Sequence, residues 1–267
     1  MKITRALRHA KKRVAALTAA VAAAVLLATA GLASSAHASA GTATTSGPKP
    51  SIVLIHGAWA DSSSWDAVVG QLQHDGYTVY VPPNPLLGIG YDSAFIRDFL
   101  DTISGPIILV GHSYGGMVLT ELSDHPRVRH RVYVAAFFPK RGESLRSLFG
   151  PNPARWRTRH GENSLATTHD VDLLREAWCA DLDLERSREL FSHAVLQSVA
   201  SMTAPSSAPN PTHPSTYVIA TQESDLCIPV PSQERMSSNA DHVARVHAAH
   251  FVQVSRPDAL AEVLEAI

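Results

Sequence analysis

Between the apolar run Ile107-Ile108-Leu109-Val110 and the helix-forming stretch Met117 to Leu122 lies Gly111-His112-Ser113-Tyr114-Gly115-Gly116. This is G-x-S-x-G set between a buried strand and a helix, the context that gives the pattern chemical meaning. Glycines on both sides let the chain reverse sharply, so Ser113 is expected in a strained backbone conformation with its hydroxyl above the sheet. Its place at a helix N-terminus adds backbone N–H groups that can receive developing negative charge. The competing explanation is a glycine-rich turn with a chance serine, and the strand and helix on its two flanks count against it.

The remaining chain repeats the same alternation. Continuous apolar runs at Ile52 to Ile55, Val79 to Val81, Ile107 to Val110, Val132 to Phe137 and Tyr217 to Ala220, with a weaker one at Ala244 to Ala248, read as strands covered on both faces. Amphipathic stretches at Ser64 to His74, Ser93 to Ile103, Gly116 to Ser123, Pro231 to Ala240 and Pro257 to Ile267 read as the intervening helices. The expected fold is therefore α/β, a mostly parallel sheet flanked by helices. From about Pro139 to Pro214 the alternation breaks, with helical patterns at Val171 to Trp178 and Leu184 to Ser198 and a Pro-rich return. We expect a helical cap, inserted after the Val132 strand and lying over the carboxyl ends of the strands, where open parallel sheets bind ligands.

Composition matters most at the start of the chain. Lys2, Arg5, Arg8, Lys11, Lys12 and Arg13 precede the Ala-rich apolar stretch Val14 to Ala33, and the small-residue sites Ala36-His37-Ala38 and Ala38-Ser39-Ala40 follow. This layout predicts a secretory signal peptide over residues 1–40, cleaved after Ala38 or Ala40, and a flexible tether over 41–50 ahead of the domain 51–267. An uncleaved anchor is the alternative, disfavoured by the weak lipophilicity of Ala. With no Arg-Arg pair, a Sec-type route to the extracellular space is expected. Removing forty residues with six of the 23 basic side chains leaves 227 residues, 17 basic against 24 acidic, a formal charge of −7. Such an acidic domain has no electrostatic footprint for nucleic acid and none for stable membrane association after cleavage.

The first strand ends in His56-Gly57-Ala58-Trp59, where Gly57 permits close backbone approach, so the N–H groups of Ala58 and Tyr114 are the expected oxyanion donors. His56 reads as a loop organiser, and Trp59 with Trp65 as an apolar wall.

These segments, together with Thr216 to Thr221, Asp225-Leu226-Cys227-Ile228-Pro229 with Gln233 beyond, and Ala249-His250-Phe251 ahead of Ser255-Arg256-Pro257, resemble the α/β-hydrolase superfamily, in its branch of small esterases and plant hydroxynitrile lyases. The resemblance runs in order across nearly all of 51–267 and is weakest in the cap. It implies a triad in the chain order serine, acid, histidine. Of His242, His247 and His250, the last follows a strand into a loop and is expected to be the base; His247 reads as a strand residue and His242 as solvated. Asp225, four residues before Pro229, is the expected acid, with Glu223 the reserve because Thr221 sits one residue farther from Asp225 than the family usually has it.

The implied chemistry is attack by Ser113 on an acyl carbonyl, proton transfer to His250 oriented by Asp225, and hydrolysis of the acyl-enzyme. A small-molecule ester is the expected substrate, and the chemistry requires neither metal nor organic cofactor. A cyanohydrin lyase is the first alternative, but Phe251 follows His250 where the lyases of this branch carry Lys. A catalytically idle ligand-binding homologue is the second. The offsets among His242, His247 and His250 do not match a helical metal pair, and Gly88-Ile89-Gly90 follows prolines and not a strand end, which argues against a nucleotide loop. In an oxidising compartment Cys179 and Cys227 can bridge the cap to the loop after Asp225 or remain two buried thiols; both stay open.

Overall fold

The computed structural model describes residues 49–149 and 155–267. The expected leader and most of the tether lie outside them.

Six strands, β1 (Ser51–Ile55), β2 (Val79–Tyr80), β3 (Ile107–His112), β4 (Val128–Val134), β8 (Ser215–Ala220) and β9 (His242–Val246), form one parallel sheet in the order β2-β1-β3-β4-β8-β9. Their apolar runs are continuous because both faces are covered. In β1, Ile52 and Leu54 join the core that holds Trp65, Val68 and Leu260, while Val53 and Ile55 join the opposite core with Ile96, Met117 and Tyr133. β3 alternates the same way, Ile108 and Val110 to the first core, Ile107 and Leu109 to the second. Each such side chain contributes roughly 1.5–3 kcal/mol on burial.

Two strands differ from the reading of the sequence. β4 spans Val128–Val134 and not Val132 to Phe137; Arg131 through Val134 pair with Ser215 through Val218, and at Ala135 the backbone turns out of the sheet with φ 40°. Phe137 and Phe138 are then free to pack into the core. β9 ends at Val246, so His247 lies beyond the strand and is exposed.

The insertion between β4 and β8 is not wholly helical. Helices at Val171–Trp178 and Leu184–Ser192 are present, but Arg157–His160 (β5), Ser164–Thr167 (β6) and Gln197–Ser198 (β7) form a small antiparallel sheet. Strands of only two to four residues carry little periodic signal. β5 and β6 reverse around Gly161, whose φ of +64° is open to glycine at no steric cost. The helix expected to Ser198 stops at Ser192, since Gln197 and Ser198 are taken up by β6. Among the described residues no helix is long and apolar enough to cross a membrane.

Candidate active site

Every residue given a chemical role by the sequence lies just past the carboxyl end of a parallel strand: Ala58 after β1, Ser113 and Tyr114 after β3, Asp225 after β8 and His250 after β9. Ser113 adopts φ 52°, a left-handed conformation rare for a residue with a side chain, and its backbone is fixed by Ser113 N–H to Val134 O (3.3 Å) and Phe137 N–H to Ser113 O (3.1 Å). The turn is possible because its neighbours are glycines. A Cβ on Gly115 would stand 2.6 Å from the Ile55 carbonyl oxygen, and one on Gly111 would stand 2.7 Å from the Gly115 backbone. A Cβ on Gly57 would meet Ser113 Cβ at 2.7 Å, so the loop after β1 lies directly against the serine. Neither the Ala58 nor the Tyr114 N–H finds an acceptor among the described residues.

The imidazole and the carboxylate are brought together. His250 Nδ1 donates to Asp225 Oδ2 at 3.0 Å, both side chains buried. Asp225 Oδ1 also accepts from the N–H groups of Cys227 (2.8 Å) and Ile228 (2.9 Å), so the loop folds around its carboxylate. Gln233 Nε2 donates to Asp225 Oδ2 (3.1 Å) and to Ile228 O (2.8 Å), while its Oε1 accepts Ala220 N–H (2.9 Å). Glu223, the reserve acid, is exposed, and His242 is exposed as well. Burial acts to lower the His250 pKa, and the Asp225 carboxylate outweighs it, leaving the imidazole more basic than usual.

His112, the residue before Ser113, donates Nε2–H to the His250 carbonyl at 2.9 Å, with ring centroids 4.7 Å apart. This bond ties the Ser113 turn to the His250 loop. Burial, reinforced by the nearby His250, holds His112 neutral far into the acid range. His56 organises its own loop: Nδ1–H donates to Gly57 O (2.9 Å) and Nε2 accepts Asn84 N–H (2.9 Å).

The insertion is bonded directly to these loops. His250 N–H donates to Trp178 O (2.9 Å), Ala249 N–H to Asp181 Oδ2 (2.8 Å), Leu226 N–H to Ala177 O (2.9 Å) and Trp59 Nε1–H to Leu165 O (3.2 Å). Above them Trp59 stacks on Trp178 at 5.7 Å and meets Trp156 edge-on at 5.3 Å, while Trp178 also contacts Phe191 and Phe251. A cleft of about 440 Å³ opens beyond Phe191, lined by His169, Leu174, Arg188 and Leu196 among others, and none of the residues given chemistry borders it. Cys179 and Cys227 are both free buried thiols, so the bridge between cap and acid loop is not formed. Among the described residues no group of three His, Cys, Asp or Glu side chains converges to hold a metal ion.

A family model described as "Alpha/beta hydrolase family" matches residues 52–263. The chain belongs to the α/β-hydrolase family. This hydrolase is 27% identical over 252 residues to a pyrethroid hydrolase of Sphingobium wenxiniae, covering 80% of this chain and 85% of that protein. It is 37% identical over 112 residues to a carbendazim-hydrolysing esterase of Nocardioides sp., a match that covers 36% of this chain and 46% of the esterase. Its fold superimposes on the crystal structure of a pyrethroid hydrolase from Sphingobium faniae with a TM-score of 0.68 at 24% identity, covering 81% of this chain and 96% of that one.

Asp181 and Asn84 carry no motif and were invisible in the sequence; each acts through a partner distant along the chain.

Proposed function

We propose that this hydrolase is a serine ester hydrolase for small or medium esters, with Ser113 as nucleophile, His250 as base and Asp225 as the acid that orients it. The observation that carries the reading is the buried His250–Asp225 pair, tied through His112 to a serine held at positive φ. The hydrogen bond from Nδ1 leaves Nε2 of His250 as the basic nitrogen, the tautomer needed to take a proton from a serine hydroxyl. The free N–H groups of Ala58 and Tyr114 are suited to the oxyanion of the tetrahedral intermediate; loss of one such donor typically costs about 3–4 kcal/mol. Water then attacks the acyl-enzyme, with His250 again accepting the proton. The two relatives, described as an esterase and a pyrethroid hydrolase, support ester hydrolysis as the reaction class.

The aromatic side chains of the insertion make an apolar ceiling, which favours esters with apolar acyl or alcohol groups and keeps bulk water from the acyl-enzyme. Ser113→Ala should abolish hydrolysis of short-chain nitrophenyl esters and labelling by a fluorophosphonate; undiminished turnover would sink the assignment. Export through the basic, Ala-rich leader completes the reading. Its test is N-terminal sequencing of protein recovered from the culture medium, where a start at Ser39 or Gly41 is expected and an intact leader would contradict it.

A further inference from the structure

Tyr114 has a second connection that the triad does not use. Its hydroxyl donates to Asp92 Oδ2 at 2.7 Å, and neither residue has any exposed surface. The same carboxylate accepts the N–H groups of Leu87 (2.9 Å) and Gly88 (3.3 Å). It therefore pins a loop that takes positive φ at both ends, strained at Leu86 (φ 59°) and open to glycine at Gly88 (φ 146°). The insertion rests on that loop, since Ser198 N–H of β7 donates to Leu86 O at 2.8 Å. Ser201, buried in the next helical turn of the insertion, lies beside the Tyr114 phenol and donates its hydroxyl to Ser198 O at 2.7 Å.

A tyrosine needed only for packing would not call for a buried carboxylate, because a carboxylate removed from water is costly unless its acceptors are filled. Here three donors converge on Asp92, and one of them belongs to the residue that directly follows Ser113 and whose backbone N–H has no acceptor among the described residues. The phenol anchors the far end of that residue, so the placement of the N–H depends on the Asp92 loop and on how the insertion sits. Oxyanion donors act through placement, and small displacements are expensive in rate.

We propose that Tyr114 is a positioning residue whose phenol, held by Asp92 and met by Ser201, sets its own N–H as an oxyanion donor and couples that donor to the seating of the cap. This rests on the serine hydrolase reading above. The test compares wild type, Ser113→Ala, Tyr114→Phe, Asp92→Asn and the Tyr114→Phe/Asp92→Asn double variant in one nitrophenyl ester assay, with circular dichroism to establish folding. Tyr114→Phe should lower kcat at least tenfold with KM within twofold, weaken a trifluoromethyl ketone inhibitor in proportion to kcat, and leave binding of the carboxylate product unchanged. The double variant should be no slower than the slower single variant, since both break one connection. A folded Tyr114→Phe enzyme with kcat within twofold of wild type, or a loss confined to KM, overturns the proposal. If Tyr114→Phe does not fold, Ser201→Ala decides: kcat at least threefold lower at constant KM is expected, and an unchanged kcat overturns it. Activity lost in Ser113→Ala but retained in Tyr114→Phe refutes this inference alone, whereas activity retained in Ser113→Ala refutes the reading beneath it.

Discussion

His250 donates its Nδ1 proton to Asp225 Oδ2 across 3.0 Å, and both side chains are buried. In the proposed triad the bond selects one tautomer and would stabilise the imidazolium formed when a serine proton is taken. Asp225→Asn keeps the shape but allows an amide N–H to face Nδ1, which favours the wrong tautomer. A fall in kcat of about 10⁴-fold with the fold intact is expected, measured by steady-state ester hydrolysis.

The same pair is expected to set the pH dependence of the proposed reaction. Burial opposes the charged imidazole, but the Asp225 carboxylate outweighs it, so the His250 pKa lies above its ordinary 6.5. A base must be unprotonated to act, so kcat/KM should rise with pH through a midpoint above 6.5 and fall on acidification. In Asp225→Asn the midpoint should move down. A rate that stays flat from pH 5 to 8 would count against His250 as the base.

Gly57 allows the loop after β1 to touch the serine turn. In Gly57→Ala the new Cβ would stand 2.7 Å from Ser113 Cβ and 3.0 Å from His112 Nδ1, neither of which is the end of a flexible side chain. Separation of the two loops would displace the Ala58 N–H, and a loss of about 10²-fold in kcat is expected. Fluorophosphonate labelling should slow in parallel; an unchanged labelling rate would show that the loops tolerate the methyl group.

The parts of this site legible in the sequence are those in which local chemistry repeats the global fold. Ile107 to Val110 must be buried, Gly111 and Gly115 must turn, and Ser113 is what the turn presents. The acid was ambiguous because Glu223 and Asp225 share a loop, and the choice depends on a carboxylate capped by Cys227 and Ile228 N–H groups, which only a folded loop supplies. Asp92 and Asp181 look like ordinary helix and loop acids; their partners Tyr114 and Ala249 lie 22 and 68 residues away. The sequence pattern places β4 too late in the chain because Arg129, His130 and Arg131 interrupt its apolar run, although Arg131 is buried there with its guanidinium on the Tyr133 hydroxyl (3.0 Å).

Gln233 is a second support of the acid, and its removal should separate stability from chemistry. Gln233→Leu fills similar volume but leaves Ala220 N–H without its acceptor and Asp225 Oδ2 with one donor fewer. An unsatisfied buried group costs about 1–3 kcal/mol. A lower denaturant midpoint is expected together with reduced kcat, and an unaltered midpoint would show that water takes over both bonds.

Cys179 and Cys227 offer a test of the insertion's attachment. Both are free and buried; burial pushes the Cys179 thiol up to about 12 and raises that of Cys227. Both should react with a thiol reagent only on unfolding, and reductant should leave the melting temperature unchanged. A mass lower by two hydrogens in the oxidised protein, with a melting temperature that falls under reductant, would show a bridge instead.

Acid stability follows from the other histidines. Burial lowers the pKa of His56, His112, His125 and His130, and that of His213 falls to about 4. In the unfolded chain these groups take up protons near the ordinary value of about 6.5. The unfolded state therefore binds more protons as pH drops, and the stability these residues contribute, complete above pH 6.5, is lost as pH falls toward their folded values. His250, Asp92 and the exposed Glu265, whose folded pKa values are raised, act in the opposite sense. The gain from His250 is complete once pH falls below 6.5 and Glu265 is exposed, whereas the five buried imidazoles lose stability below 6.5, so the thermal midpoint should fall progressively between pH 6.5 and 4.5. A midpoint that holds or rises over that interval would mean that His250 and Asp92 dominate, and the balance assigned to the buried imidazoles would be wrong.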